Sequence, residues 1–236
     1  VGLILLFVGL SEGASTMVNL TQVAEKYLME LKNNGRLYDS MDSWGLTKNY
    51  GYWSGRHFTQ GEKPIEAKVS DLKCDNVEGK NMETKQVIGC NETFIWEFTH
   101  GLQSPFELLV NVTLPMIPKK RTKHTQIYQL DLNNGEKITK TAYNMIKTKE
   151  NATSKMVTRE CYFKVEVTFR GYFGFHIKYP RGDYPNYYGV NIISLANENG
   201  LSNRDGSLLY TIDGKYTQKL CGRKGGKRKT LSETLQ

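Results

Sequence analysis

Cys161-Tyr162-Phe163-Lys164-Val165-Glu166-Val167-Thr168-Phe169 decides how the rest of the chain is read. Cys161, Phe163, Val165, Val167 and Phe169 fall on one side of an extended backbone. Lys164, Glu166 and Thr168 fall on the other, which is the period-2 signature of a half-buried strand. Beyond Gly171 the pattern resumes with Phe173, Phe175, Ile177 and Tyr179. Upstream, Phe106, Leu108, Val110, Val112 and Leu114 alternate with polar residues, and Phe94, Trp96 and Phe98 oppose Asn91, Thr93 and Glu97. Strands are expected at 65–73, 85–98, 105–115, 125–132, 137–147, 156–169, 172–179, 188–196, 207–212 and 215–220. Turn signals part several of them: Asn133-Asn134-Gly135, Asn199-Gly200, Asp205-Gly206 and Asp213-Gly214. The pattern predicts a mainly β chain, an antiparallel β-barrel or β-sandwich, with one N-terminal α-helix.

That helix is expected over residues 19–34. Leu20, Val23, Ala24, Tyr27, Leu28 and Leu31 share one face at helical spacing. Asn19 and Gln22 have capping-box spacing, Val18 and Val23 can form a hydrophobic staple, and Gly35 suits the C-terminal stop.

The 236 residues carry a formal charge of +8, and the 14 Tyr, 9 Phe and 3 Trp are too many to leave in water, which argues against a disordered chain. No apolar run reaches the roughly 20 residues of a spanning helix. The near-wholly apolar Val1–Leu10, followed by Ser11, Gly13, Ala14 and Ser15, reads as the remnant of a secretory signal peptide over residues 1–14, in a precursor missing its first residues. Residues 15–221 then form one secreted β-rich domain. Residues 222–236 form a flexible basic tail that holds a net +4 of the chain's +8.

Four sequons, at Asn19, Asn91, Asn111 and Asn151, suit an extracellular glycoprotein. Asn91 and Asn111 fall on the outward faces of their strands, where a bulky glycan is tolerable. At Asn19 the roles of helix cap and glycan carrier compete. Cys74, Cys90, Cys161 and Cys221 form an even set with no metal-site spacing, which reads as two disulfides in three possible connectivities. The favoured one is Cys74–Cys90, stapling a hairpin, with Cys161–Cys221 tying the C-terminal region to the core.

GxSxG, HExxH, P-loop and GxGxxG motifs are all absent, and the histidines at 57, 100, 124 and 176 are scattered. No enzyme, cofactor or metal site is expected, and the chain is expected to act by binding. His176 falls on the polar face of its strand.

Arg181-Gly182-Asp183 lies between Pro180 and Tyr184-Pro185, a turn that would present opposite charges to an integrin. Lys119, Lys120, Arg121 and Lys123, and Arg223, Lys224, Lys227, Arg228 and Lys229, can hold sulfated glycans or serve only as solvated loops. Without interleaved aromatics they do not suggest nucleic acid. Gly51-Tyr52-Trp53 after a short N-terminal helix resembles a lipocalin opening, which implies a barrel with a cavity for a small amine or lipid.

Four stretches resemble the tick salivary immunosuppressant family of the thirty-six-kilodalton type. They are Asn19-Leu-Thr-Gln-Val-Ala-Glu-Lys-Tyr-Leu, Ser43-Trp-Gly-Leu, Gly51-Tyr-Trp-Ser-Gly and Cys90-Asn-Glu-Thr-Phe-Ile-Trp-Glu-Phe. The resemblance implies a saliva protein that suppresses host T-lymphocyte proliferation and cytokine output. Its partner is then a host protein or an immune-cell surface that the resemblance leaves unnamed.

Overall fold

The structure is a computed structural model that describes residues 16–33, 41–78, 84–88, 91–117, 125–133, 135–143, 153–180 and 183–222. The chain opens with β1 (Thr16–Asn19), α1 (Leu20–Asn33), β2 (Met41–Gly45) and α2 (Gly51–Ser54). It continues through β3 (Glu66–Val69), β4 (Lys73–Glu78), β5 (Thr84–Ile88), β6 (Asn91–Gln103), β7 (Leu109–Leu114) and β8 (Gln126–Asp131). The last elements are β9 (Lys137–Tyr143), β10 (Thr153–Arg170), β11 (Tyr172–Ile177), β12 (Tyr187–Asn191), a 3₁₀ turn (Ile192–Leu195), β13 (Ser202–Arg204) and β14 (Ser207–Gly222). The fold is mainly β and sandwich-like, and among the described residues its sheets do not close into a barrel.

The alternating stretch around Cys161 belongs to the longest strand, β10. It pairs antiparallel with β14 from Lys155↔Gly222 to Phe169↔Leu208. Its other edge is shared in turn by β5, β4 and β3. β14 pairs antiparallel with β6, β6 with β9, and β1 joins β6 in parallel. A second sheet has the order β12-β11-β2, and β7 and β8 form a separate two-stranded sheet.

Phe163, Val165, Val167 and Phe169 are buried as their alternation requires, and so are Phe94, Trp96, Phe98, Val110, Val112 and Leu114. They join Phe173, Phe175 and Ile177 of the second sheet in one core. Gln218, fully buried, anchors the segment after β7: its Nε2 donates to the Ile117 carbonyl (2.9 Å) and its Oε1 accepts from the Ile117 N–H (3.1 Å). A buried amide is tolerable because both ends are satisfied.

α1 runs as the pattern predicts, with Leu20, Val23, Ala24 and Leu28 buried. The Asn19 Oδ1 accepts from the N–H groups of Thr21 (3.0 Å) and Gln22 (3.2 Å). Gly35, the expected stop, lies outside the described residues.

Three expectations fail locally. Asp213-Gly214 is no turn: β14 runs through it, with only a register shift against β6. A Cβ at Gly214 would overlap the Glu97 carbonyl oxygen and lie 2.9 Å from the Phe163 ring, so this glycine serves close strand approach. Residues 192–195, expected in a strand, form the 3₁₀ turn, whose Asn191 Oδ1 accepts from the Ile193 N–H (3.1 Å). Tyr179 does not continue the buried face of β11, since the strand ends at Ile177 and Tyr179 is 70% exposed. Asp205-Gly206 does form a two-residue hairpin loop between Arg204 and Ser207, with positive φ at both positions.

The expected disulfides are also corrected. Cys74 pairs with Cys161, joining β4 to β10 at a Cα–Cα distance of 5.8 Å. Neither Cys74–Cys90 nor Cys161–Cys221 can then form. β4 lies beside β10 with Cys74 opposite Phe163, which brings two cysteines 87 residues apart within bonding reach. Cys221 is disulfide-bonded as well, and Cys90 lies outside the described residues.

Candidate functional site

The second sheet turns Phe173, Phe175 and Ile177 inward, so Gly174 and His176 face out. Register places Gly174 between Gly189 of β12 and Gly45 of β2. The outer face therefore has a floor of three glycines in a row across the strands. Tyr52 of α2 lies over that floor, 1% exposed. A Cβ at Gly174 or Gly189 would overlap Tyr52, and one at Gly45 would lie 2.8 Å from the Tyr50 Cβ. Glycine is required here for close approach of the rings, since aromatic packing replaces the missing side chains.

The Tyr52 hydroxyl donates to the Glu62 carboxylate, whose Oε2 also accepts from the Thr59 N–H (2.8 Å). Burial, then the Glu62 hydrogen bond, push the Tyr52 phenol well above its ordinary pKa. Tyr50 is raised too, chiefly by burial, and its hydroxyl lies 3.0 Å from that of Ser43.

Around this lid stands a ring of further aromatics. His57 stacks on Tyr187 at 4.0 Å, and His176 tilts against the same tyrosine at 4.6 Å. The His176 Nδ1 meets the Asp42 Oδ1 at 2.6 Å, and this hydrogen bond holds the Asp42 carboxyl below its ordinary pKa. Trp53 packs edge-on to Tyr52 (5.0 Å) and against Phe58 (5.2 Å). From the paired residues His176 and Tyr187 the chain leaves the sheet in the loop that carries Tyr179 and Tyr184, 70% and 62% exposed. Phe58, on the neighbouring segment, is also exposed.

The outer face of the main sheet is different. It carries ion pairs, Lys137–Glu97 (2.5 Å), Lys215–Glu160 (2.7 Å) and Arg204–Glu166 (3.0 Å), with the Tyr162 ring also exposed on it.

A concavity, a groove of about 740 Å³, lies elsewhere, where β1 and the first turn of α1 face His100 of β6 and Thr211 and Asp213 of β14. The His100 Nδ1 is 2.9 Å from the Asp213 Oδ1. Burial, followed by the Asp213 charge, raises the Tyr210 phenol at its wall.

Among the residues singled out from sequence, Asn91 and Asn111 are exposed on strand faces, and Asn19 caps α1 at the rim of this groove. Asp183 is exposed in the Tyr179–Tyr184 loop. Arg181, Gly182, Asn151, residues 1–14, Lys119, Lys120, Arg121, Lys123, Arg223, Lys224, Lys227, Arg228 and Lys229 lie outside the described residues. Gly51-Tyr52-Trp53 forms α2 on the outside of an open sheet, and closes no barrel. Sequence reading missed Tyr50, His57, Phe58, Glu62 and Tyr187. The available signal was the density of rings beside Gly45, Gly51, Gly55 and Gly189. Among the described residues no group of His, Cys, Asp and Glu could hold a metal ion, and no helix is long and apolar enough to cross a membrane.

No protein-family model matches the chain, and no curated protein matches it. Among solved structures it is similar to a non-toxic crystal protein from Bacillus thuringiensis, at 12% identity over 87% of this chain and 94% of that one, TM-score 0.46. It is also similar to a chain of the Cry23Aa1 and Cry37Aa1 binary complex, at 14% identity over 87% and 86%, TM-score 0.44. A third likeness is to the Mpp75Aa1.1 beta-pore-forming protein from Brevibacillus laterosporus, at 12% identity over 87% of each chain, TM-score 0.33.

Proposed function

We propose that this chain is an exported protein that acts by binding a host factor, without chemistry of its own, and so suppresses host lymphocyte responses. The observation that carries the binding surface is a set of exposed rings on the segments that flank the small sheet: Tyr179 and Tyr184 between β11 and β12, and Phe58 next in sequence to His57, which stacks on Tyr187. Protein interfaces are enriched in aromatic residues and depleted in Lys, Glu and Asp at their centres. The aromatic end supplies such rings, with Lys178 and Asp183 exposed among them, and the main sheet's outer face is dominated by ion pairs. Phe58 packs on Trp53 at 5.2 Å, so this exposed ring is already partly held before a partner arrives.

Export is supported by the Cys74–Cys161 bond, because disulfides persist in oxidising compartments. The immunosuppressive role rests on the family resemblance. Two of its four stretches, Ser43–Leu46 and Gly51–Gly55, are brought together at this end by β2 and α2. The purified glycosylated chain, added to mitogen-stimulated lymphocytes, is expected to lower proliferation and cytokine release. Cells that divide normally at saturating protein would overturn the role.

A second reading is integrin antagonism through Arg181-Gly182-Asp183, favoured by the exposure of Asp183 in the same loop. It predicts that Asp183→Ala abolishes inhibition of cell adhesion, and an unchanged inhibition curve removes it.

A further inference from the structure

The groove beside β1 includes Asn19, an Asn-Leu-Thr sequon residue, in its lining. We infer that the occupant of this groove is the N-linked glycan that Asn19 itself carries. The first sugars would lie against the fold and leave the groove closed to other ligands.

The side chain of Asn19 permits both of its roles. Its Oδ1 caps α1, and its Nδ2 donates to the Gln103 Oε1 at 3.1 Å. An amide nitrogen has two hydrogens. One serves Gln103, and the other can be exchanged for a sugar while the carbonyl oxygen keeps its capping bonds. In the transfer, the bond from Nδ2 to the anomeric carbon forms as the bond from that carbon to a lipid diphosphate donor breaks. The diphosphate leaves and one Nδ2 proton is lost to the transferring enzyme. This happens on the unfolded chain, so the cap closes around an asparagine that is already modified.

The lining matches a sugar better than an ion. Thr16, Gln22, Asn199 and Thr211 carry hydroxyls and amides that both donate and accept, as sugar hydroxyls do. His100 and Asp213, bonded to each other, keep an imidazole nitrogen and a carboxylate oxygen for further hydrogen bonds. The one lysine in the lining, Lys26, already meets Glu198 at 2.8 Å. Met17, Val23 and the Tyr210 ring give an apolar wall for acetamido methyl groups and sugar C–H faces. A volume of about 740 Å³ lies inside the range of roughly 300–1,000 Å³ that takes drug-sized ligands, a class that includes a core disaccharide.

The test uses the full chain made in secretory eukaryotic cells. The native protein is digested with an amide-cleaving N-glycanase, and release is followed site by site by glycopeptide mass spectrometry. Asn19 is expected to be occupied and to lose its glycan about tenfold or more slowly than the exposed Asn91 and Asn111, a factor set by a few hydrogen bonds in the groove. After denaturation the rates should become equal. His100→Ala, which removes a half-exposed groove side chain, should bring the native rate at Asn19 towards the other two. Equal native rates overturn the inference. Because it rests on export, a chain retained in the cytosol and bare at every sequon sinks both readings. An exported chain with sugar at Asn91 and Asn111 and a bare Asn19 sinks this one alone.

Discussion

The two sheets solve their solvent faces in opposite ways. The main sheet covers its outer face with opposed charges, Glu97 beside Lys137 and Glu160 beside Lys215. The small sheet has glycines where side chains would stand, and is covered by Tyr50 and Tyr52 from a loop and a four-residue helix. Charged pairs on a strand keep a face soluble and discourage association. The rings on glycine close the small sheet by packing instead of by charge, and Phe58, Tyr179 and Tyr184 stand exposed around that region. The difference separates a scaffold from the surface it presents.

The largest effect that sharpens this contrast is on the scaffold. Replacing Cys74 and Cys161 together by Ser should cost about 2–5 kcal/mol, because the bond closes a long loop between β4 and β10. Denaturant unfolding measures it. An unchanged midpoint would show that β10 needs no such tie.

Next in size is the glycine floor. Gly174→Ala places a Cβ into Tyr52 and must displace it, at a cost of about 1–3 kcal/mol. Near-ultraviolet circular dichroism should report the loosened rings while far-ultraviolet strand signal stays. Retention of both signals would mean the lid does not depend on the floor.

A third effect appears at high pH. Tyr52, over the small sheet, and Tyr216, in β14 of the main sheet, have phenols raised well above 10, in both cases chiefly by burial. The folded state therefore holds protons that the unfolded chain releases above about pH 10. Stability is fully present below that pH and falls as pH rises through it, by up to about 1.4 kcal/mol per unit for each group. Melting temperature measured from pH 9 to 11.5 should drop. Tyr52→Phe should flatten part of that fall, and an unaltered slope would show that Tyr52 does not take part.

The smallest effect belongs to the charged face. Glu97→Gln should change stability by no more than about 1 kcal/mol, since both partners are about half exposed. A loss of several kcal/mol would mean that this face does more than stay soluble.

The two regions also differ in how far they could be read from sequence. β6, β7 and β10 show their buried faces in alternation, because one side meets the core and the other meets water. α1 is legible for the same reason at helical period, whereas β14 opens with four buried residues in a row, Ser207 to Tyr210. The small sheet hides its design. Tyr52 is buried by glycines more than a hundred positions away, and no local pattern marks Gly174 and Gly189 as opposite one another. The Cys74–Cys161 pair was missed on similar grounds, because short separation suggested a hairpin staple where strand order decided the partner. At Gly214 a turn-forming residue serves instead to let β6 and β14 approach.

The central claim is that a partner is bound by the aromatic end of the small sheet. The most direct measurement compares Tyr179→Ala/Tyr184→Ala with Glu97→Gln/Glu166→Gln for suppression of lymphocyte proliferation, each variant checked by its melting temperature. The account predicts that the tyrosine pair loses suppression with a melting temperature unchanged, because both side chains are exposed. The glutamine pair should keep full activity. Full activity in the tyrosine variant, or loss confined to the glutamine variant, would contradict it.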